Sequence, residues 1–224
     1  MPLFEPTPEQ QPFLQIAEDL AETQLRPRAD EVDETATFPK ENFDAFAKAG
    51  LLGLRIPKAL GGMGADVLSA VMVIERLSRA CGSTGMCFKM HCESTEPMWR
   101  LATDEQVERF VKPIAAGERI TTTAIAEAGT GSHTWSLQSS ITPVEGGYDL
   151  SNVRKGWVTS SEHADLYFTP AMLDGAGPGQ FTSFVLEKKA VEWSIDGPWN
   201  GLGMRANASS PMTFSGSAPE GNRL

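Results

Sequence analysis

At 224 residues, with 41% hydrophobic and 21% charged side chains, the chain is long enough to bury a sizeable core and too apolar to stay disordered. Its formal charge of -10 is acidic in both halves, with 12 Lys and Arg against 19 Asp and Glu up to residue 118 and 7 against 10 beyond it. Nucleic acid and anionic bilayers therefore meet repulsion throughout. The opening MPLFEPTPEQQPFLQ lacks the basic and apolar regions of a secretory leader, and no apolar run reaches membrane-spanning length. Cys81, Cys87 and Cys92 are odd in number and form no CxxC, which reads as reduced thiols in a soluble, cytoplasmic protein.

Taken in chain order, Thr7-Pro8-Glu9-Gln10 has the form of a capping box, and Phe13, Ile16, Ala17 and Leu20 mark one face of the helix expected to begin there. Phe43, Phe46, Ala47 and Gly50 repeat that spacing. Val67, Ala70, Val71, Ile74 and Leu77 repeat it again after the turn Gly61-Gly62-Met63-Gly64, and Thr103 with Gln106 forms a second capping box. Residues 1–118 are expected to form an antiparallel helical domain. From Ile120 the period changes to two: Tyr148 and Leu150, Leu166 and Phe168, and Val191, Trp193 and Ile195 alternate as half-buried strands do. Turn signals at Gly146-Gly147, Asp174 to Gly179 and Gly197-Pro198 separate them, so residues 119–224 are expected to form a small β-barrel or sandwich. No linker divides the halves, which favours rigid packing and a site at their junction.

Two stretches carry candidate chemistry. Thr123 to His133 reads as a strand running into a glycine-rich loop, where Gly129 and Gly131 let backbone N–H groups approach an anion and the hydroxyls of Thr130 and Ser132 add donors without a lysine or arginine. Such a loop suits a pyrophosphate, although on composition alone a plain turn between strands explains it better. In Lys155-Gly156-Trp157-Val158-Thr159-Ser160-Ser161, an indole stands two residues from a hydroxyl on one strand face, an arrangement that would position a flavin; taken alone, Trp157 reads as a core residue. His91 lies close to Cys87 and Cys92, but the spacing matches no recognised metal-ligand pattern, and no metal is expected.

The order of segments resembles the acyl-CoA dehydrogenase family over nearly the whole chain. Leu51 to Pro57, Gly61 to Gly64, Ile74 to Cys81, Gly82 to Gly85, Thr103 to Gln106, Pro113 to Glu118, Glu127 to Ser132, Trp157-Val158-Thr159 and Leu202 to Arg205 occur in the family's sequence and at family-like separations. The resemblance implies an α+β fold, a helical N-terminal domain followed by a flavin-binding β-domain, and FAD as cofactor. It implies Thr123, Ile125, Ala126, Gly131, Ser132, Trp157 and Thr159 as cofactor contacts, with Ser132 also touching the acyl-CoA. It further implies an electron acceptor such as an electron-transfer flavoprotein and a role in fatty acid metabolism. For Leu202 to Arg205 it implies structure without chemistry.

The sequence departs from the family's pattern in several places. Ala126-Glu127-Ala128 stands where Thr-Glu-Pro is usual, His133 replaces a common aspartate, and Ser160-Ser161 replaces Asn-Gly. Ordinary members continue beyond the equivalent of Leu224 into a C-terminal helical bundle that supplies the catalytic glutamate, so the chain is expected to be truncated or split, and no catalytic residue is assigned within it. Glu127 corresponds to a family glutamate that is not the base. A homo-oligomer, or a partner chain supplying the bundle, is expected, and without the bundle exposed apolar surface favours self-association. Two other functions fit the same fold: a noncatalytic flavin- or acyl-CoA-binding protein, and a flavin oxidase or monooxygenase.

Overall fold

A computed structural model of the protein describes residues 5–177 and 179–224, with only the backbone described at Asn152. Pro178, inside the expected 174–179 turn, lies outside the described residues. Helix α1 (Gln11–Leu20) begins later than the Thr7 box suggests. Gln10 returns its side chain to the Thr7 N–H at 2.9 Å, but Pro12 has no N–H with which to extend the ladder back to Pro8, so residues 8–10 remain a turn. The helical path continues through a widened turn at Ala21–Leu25 and a tight one at Arg26–Arg28, where Pro27 withholds another donor, into α2 (Ala29–Thr35).

Helix α3 (Lys40–Lys48) buries Phe43 and Phe46 as their spacing predicts. Helix α4 (Val67–Ala80) is capped by Asp66, whose carboxylate accepts from the Ser69 N–H at 2.6 Å. It buries Ala70, Val73, Leu77 and Ala80, whereas Val67 and Val71 are 62% and 55% exposed. Apolar side chains cover so much of this helix that spacing alone leaves two overlapping stripes; Ala70, Ile74 and Leu77 of the expected one meet the core, while Val67 and Val71 face outward and Val73 takes their place. Helix α5 (Gly82–Leu101) gives no periodic signal because much of what it buries is small or polar: Ser83, Thr84, Gly85, Cys87, His91, Ser94 and Thr95. A Cβ at Gly85 would sit 2.1 Å from Ser78 Oγ, so the glycine allows the close crossing of α4 and α5. The Thr103–Gln106 capping box forms in both directions at α6 (Asp104–Gln106), and α7 (Lys112–Ala115) ends the helical region.

Among the described residues the strands are β1 (Thr121–Thr123), β2 (Ser140–Val144), β3 (Gly147–Val158), β4 (Leu166–Leu173), β5 (Phe181–Glu187), β6 (Glu192–Ile195), β7 (Ser210–Ser215) and β8 (Ser217–Pro219). β5 pairs antiparallel with one edge of β4, while β1 and then β2 run parallel along β4. β2 continues antiparallel to β3, which also takes β8 along its first residues and β7 along its second half; β6 pairs with β7. Among the described residues a single isolated bridge, Phe184 to Arg223, reaches between the two margins, and the sheet they form is curled and open, not a closed barrel. β4 also departs from the expected alternation, since Leu166 through Ala171 are all buried. Tyr167 packs inward with Phe214 and Phe184, whereas Leu166 and Phe168 face Ile56, Met98, Phe110 and Ile114 of the helical region.

That shared core is the seam between the halves, and α5 runs along it. His91 Nδ1 accepts from the Thr121 N–H at 3.2 Å, which leaves Nε2 protonated to donate to Leu52 O at 2.8 Å. Burial pushes the His91 pKa down to about 4, against partial support from its two backbone partners. All three cysteines are free and buried, and burial holds Cys87 and Cys92 at about 12, far from the thiolate. Among the described residues no group of three or more His, Cys, Asp or Glu could hold a metal ion, and no helix is long and apolar enough to cross a membrane.

Candidate functional site

β1 delivers the first candidate stretch to the surface. Ala124 N–H still pairs with Phe168 O at 2.9 Å; the chain then leaves the sheet, with Ile125 and Ala126 half-buried. Glu127 turns inward. Its Oε1 accepts from Lys155 Nζ at 2.6 Å, and its Oε2 accepts the N–H groups of Gln138 at 2.5 Å and Ser139 at 3.0 Å. Lys155 also donates to Pro170 O at 2.8 Å, and both charged side chains are almost completely buried. Burial alone would raise the Glu127 carboxyl, but the Lys155 ammonium and the two backbone donors outweigh it and hold it below the usual carboxylate range. One carboxylate therefore fastens both ends of the 128–137 loop.

Within that loop, the Thr130 hydroxyl donates back to Glu127 O at 3.0 Å and is buried, so it does not join Ser132 as an outward donor. The exposed Gln138 amide lies over Gly129, where a Cβ would meet Nε2 at 2.1 Å and push that side chain aside. Gly131 adopts a φ of +53° in open space, and Ser132 and His133 are exposed, with the His133 ring edge-on to Trp135 at 5.2 Å.

The second stretch lies directly against the first. Gly156 N–H donates to Ala126 O at 2.7 Å, and Thr122 Oγ1 donates to Thr159 O at 2.7 Å. β3 carries a bulge here: Lys155 pairs with Met212 and Val158 with Ser210, so three steps on one strand match two on the other. The extra residue reverses the alternation, so Lys155 points into the interior and Trp157 stands 60% exposed beside the 126–128 backbone. The Trp157 indole is thus on the surface, not in the core. Thr159 is buried, and its hydroxyl shares a hydrogen bond with Ser209 Oγ at 2.8 Å. Thr123 is buried with a hydroxyl that has no partner. The arrangement brings Thr123, Ile125, Ala126, Trp157 and Thr159 into one neighbourhood and sets Gly131 and Ser132 on the exposed arm of the loop.

Sequence reasoning missed the Glu127–Lys155 clasp, the place of His91 at the seam between the halves, and the Trp199 and Ser209 partners of Trp157 and Thr159. One signal was available: Lys155 has the parity of buried Val153, and a lysine there requires a buried carboxylate. A concavity of about 580 Å³ on the helical half, lined by Leu20, Gln24, Arg28, Asp44 and Lys48, shares no residue with either stretch and does not enter the site.

Residues 7–118 match the family model for the acyl-CoA dehydrogenase N-terminal domain, and residues 122–217 match the model for the acyl-CoA dehydrogenase middle domain. The chain belongs to the acyl-CoA dehydrogenase family. It is 32% identical over 213 residues to the short-chain specific acyl-CoA dehydrogenase of Clostridium acetobutylicum, covering 94% of this chain and 56% of that protein. It is 35% identical over 191 residues to a 3-(aryl)acrylate reductase of Clostridium sporogenes, covering 84% and 50%. The butyryl-CoA dehydrogenase structure from Megasphaera elsdenii superposes with a TM-score of 0.91 at 26% identity, covering 99% of this chain and 59% of that one. This acyl-CoA dehydrogenase family chain thus spans about half the length of the curated relatives it matches.

Proposed function

We propose that the chain is the helical (1–118) and flavin-binding (119–224) part of a cytoplasmic FAD-dependent acyl-CoA dehydrogenase, an oxidoreductase that introduces an α,β double bond into an acyl-CoA thioester. The observation that carries this reading is the apposition of the 123–128 segment to the 155–159 segment, with an exposed indole at their junction. The residues fit the cofactor: an uncovered aromatic plane suits an isoalloxazine ring, the orphaned Thr123 hydroxyl offers a buried polar atom, and open Gly131 with exposed Ser132 offers neutral donors for phosphate.

FAD, when bound, would supply an acceptor for the hydride leaving the β-carbon of the thioester. The chain's own residues do the holding. Trp157 would support the ring plane, Thr159 would present a hydroxyl to it, Thr123, Ile125 and Ala126 would line the approach, and Gly131 and Ser132 would hold the phosphates, with Ser132 also meeting the acyl-CoA. Glu127 does not act as the base, because its oxygens are committed to Lys155 and two backbone donors and its pKa is lowered. The base and the rest of the cavity come from a C-terminal helical bundle outside these residues, on the same polypeptide or on a partner chain, in a homo-oligomer. Turnover would require an electron acceptor such as an electron-transfer flavoprotein. The caffeyl-CoA reductase-Etf complex subunit CarC of Acetobacterium woodii, 30% identical over 213 residues, is a relative named for that kind of assembly.

The test is the absorbance of the purified chain mixed with FAD, alone and with the C-terminal bundle of a relative, before and after addition of butyryl-CoA. Flavin bands that appear on binding and bleach only when the bundle is present are expected. Bound flavin that no acyl-CoA bleaches would turn the reading to noncatalytic binding, and oxygen consumption would turn it to an oxidase.

A further inference from the structure

The segment from Trp199 to Ser209 joins β6 to β7 and takes no part in the chemistry above. Its C-terminal half is fastened to both halves of the protein through its backbone. Ala206 N–H donates to Ser83 Oγ on α5 at 3.2 Å, Asn207 O accepts from Ser160 N–H at 2.9 Å, and Ala208 O accepts from Ser161 N–H at 3.1 Å. From this base two side chains reach the strand that carries Trp157 and Thr159. The Trp199 ring meets the Trp157 ring edge to face, with centroids 6.1 Å apart and planes at 78°, and Ser209 Oγ lies 2.8 Å from Thr159 Oγ1. Trp199 is itself locked: its Nε1 donates to Met204 O at 3.1 Å, and a Cβ at residue 201 would lie 2.4 Å from its ring, so Gly201 lets the loop fold flat over the indole.

An indole 60% exposed on a strand has several side-chain rotamers open to it, and one edge-to-face contact favours a single rotamer by about two- to tenfold. A threonine hydroxyl rotates freely until a partner engages it. When Ser209 donates, Thr159 keeps its proton for a second acceptor.

We propose that residues 199–209 are a positioning element for the flavin surface, in which Trp199 sets the plane of Trp157 and Ser209 sets the hydroxyl of Thr159. The inference rests on the flavin-surface reading given above. It assigns to Trp199 and Ser209 a role that needs no contact with the cofactor.

The test uses the full chain labelled with 5-fluorotryptophan. Its five tryptophans give five fluorine resonances, and W157F identifies the one from Trp157. The expected result without FAD is one sharp Trp157 line that moves and broadens in W199L, which keeps bulk but offers no ring, and largely recovers in W199F. FAD titration followed by flavin fluorescence is expected to show binding weakened about two- to tenfold in W199L and in S209A, with S209T near wild type. An unmoved Trp157 line together with wild-type affinity in both W199L and S209A overturns the inference, provided W157A does weaken binding. If W157A binds FAD as tightly as wild type, or the wild-type chain takes up no FAD, the flavin-surface reading itself fails and the positioning role falls with it.

Discussion

Lys155 and Trp157 stand two residues apart on one strand and end in opposite surroundings: the lysine is 1% exposed inside the sheet and the tryptophan 60% exposed outside it. Regular alternation would put both on one face. The single extra residue in the register between Lys155 and Val158 separates them, and Gly156 at that irregularity is the residue that bonds the 126–128 backbone. The inner side is saturated, with both members of the ion pair fully engaged. The outer side leaves an indole largely uncovered. A local break in pleating therefore allows one strand to clamp a loop and present an aromatic plane within three residues.

The largest effect is expected on the inner side. K155M strands the Glu127 carboxylate in the interior and should lower unfolding stability in urea by about 3–5 kcal/mol, whereas the double variant E127Q/K155M should recover much of that loss. Next comes pH. His91 in the fold binds no proton above about pH 4, while in the unfolded chain it takes one up near 6.5. The unfolded state therefore binds more protons between those values, and stability should fall by about 2–3 kcal/mol as pH drops from 7 to 4.5. Urea midpoints across that range should flatten in H91Q.

G131A meets open space but holds a left-handed backbone and should cost about 1–2 kcal/mol, whereas the Cβ of G129A meets only the movable amide end of exposed Gln138 and should cost less than about 1 kcal/mol. Urea unfolding of the two variants would rank them. The smallest stability change belongs to the outer side: W157A should shift unfolding by only about 0.5 kcal/mol while weakening FAD binding about tenfold or more. A W157A variant as destabilised as K155M would erase the contrast between the two sides.

Much of this was legible in the sequence. The Thr103–Gln106 box, the α3 core phenylalanines and the change of period near residue 120 each follow from local chemistry and reappear in the structure. Helix α5 was not legible, because a helix buried against neighbours on several sides with Ser, Thr, Gly and Cys shows no apolar stripe. β4 looked half-buried since Leu166 and Phe168 alternate with a tyrosine, yet Tyr167 is as buried as they are once both faces of the strand are covered. At the site, the loop and the Trp157-Val158-Thr159 segment could be named from residue order. The bulge, the inward turn of Thr130 and the Trp199 and Ser209 contacts could not be, because each depends on register or on partners far along the chain.

The histidine at the seam bears on how such proteins can be recombined. α5 gives one face to the helical core, while His91, Ser83 and Cys87 reach Thr121, Ala206 and Asn207 across the joint. Every partner on the β half is a backbone N–H or C=O, so a foreign β half that keeps this backbone path would still satisfy the imidazole nitrogen, the hydroxyl and the thiol. A graft between members of the family therefore depends on the backbone path at residues 121 and 206–207, and it tolerates different side chains there.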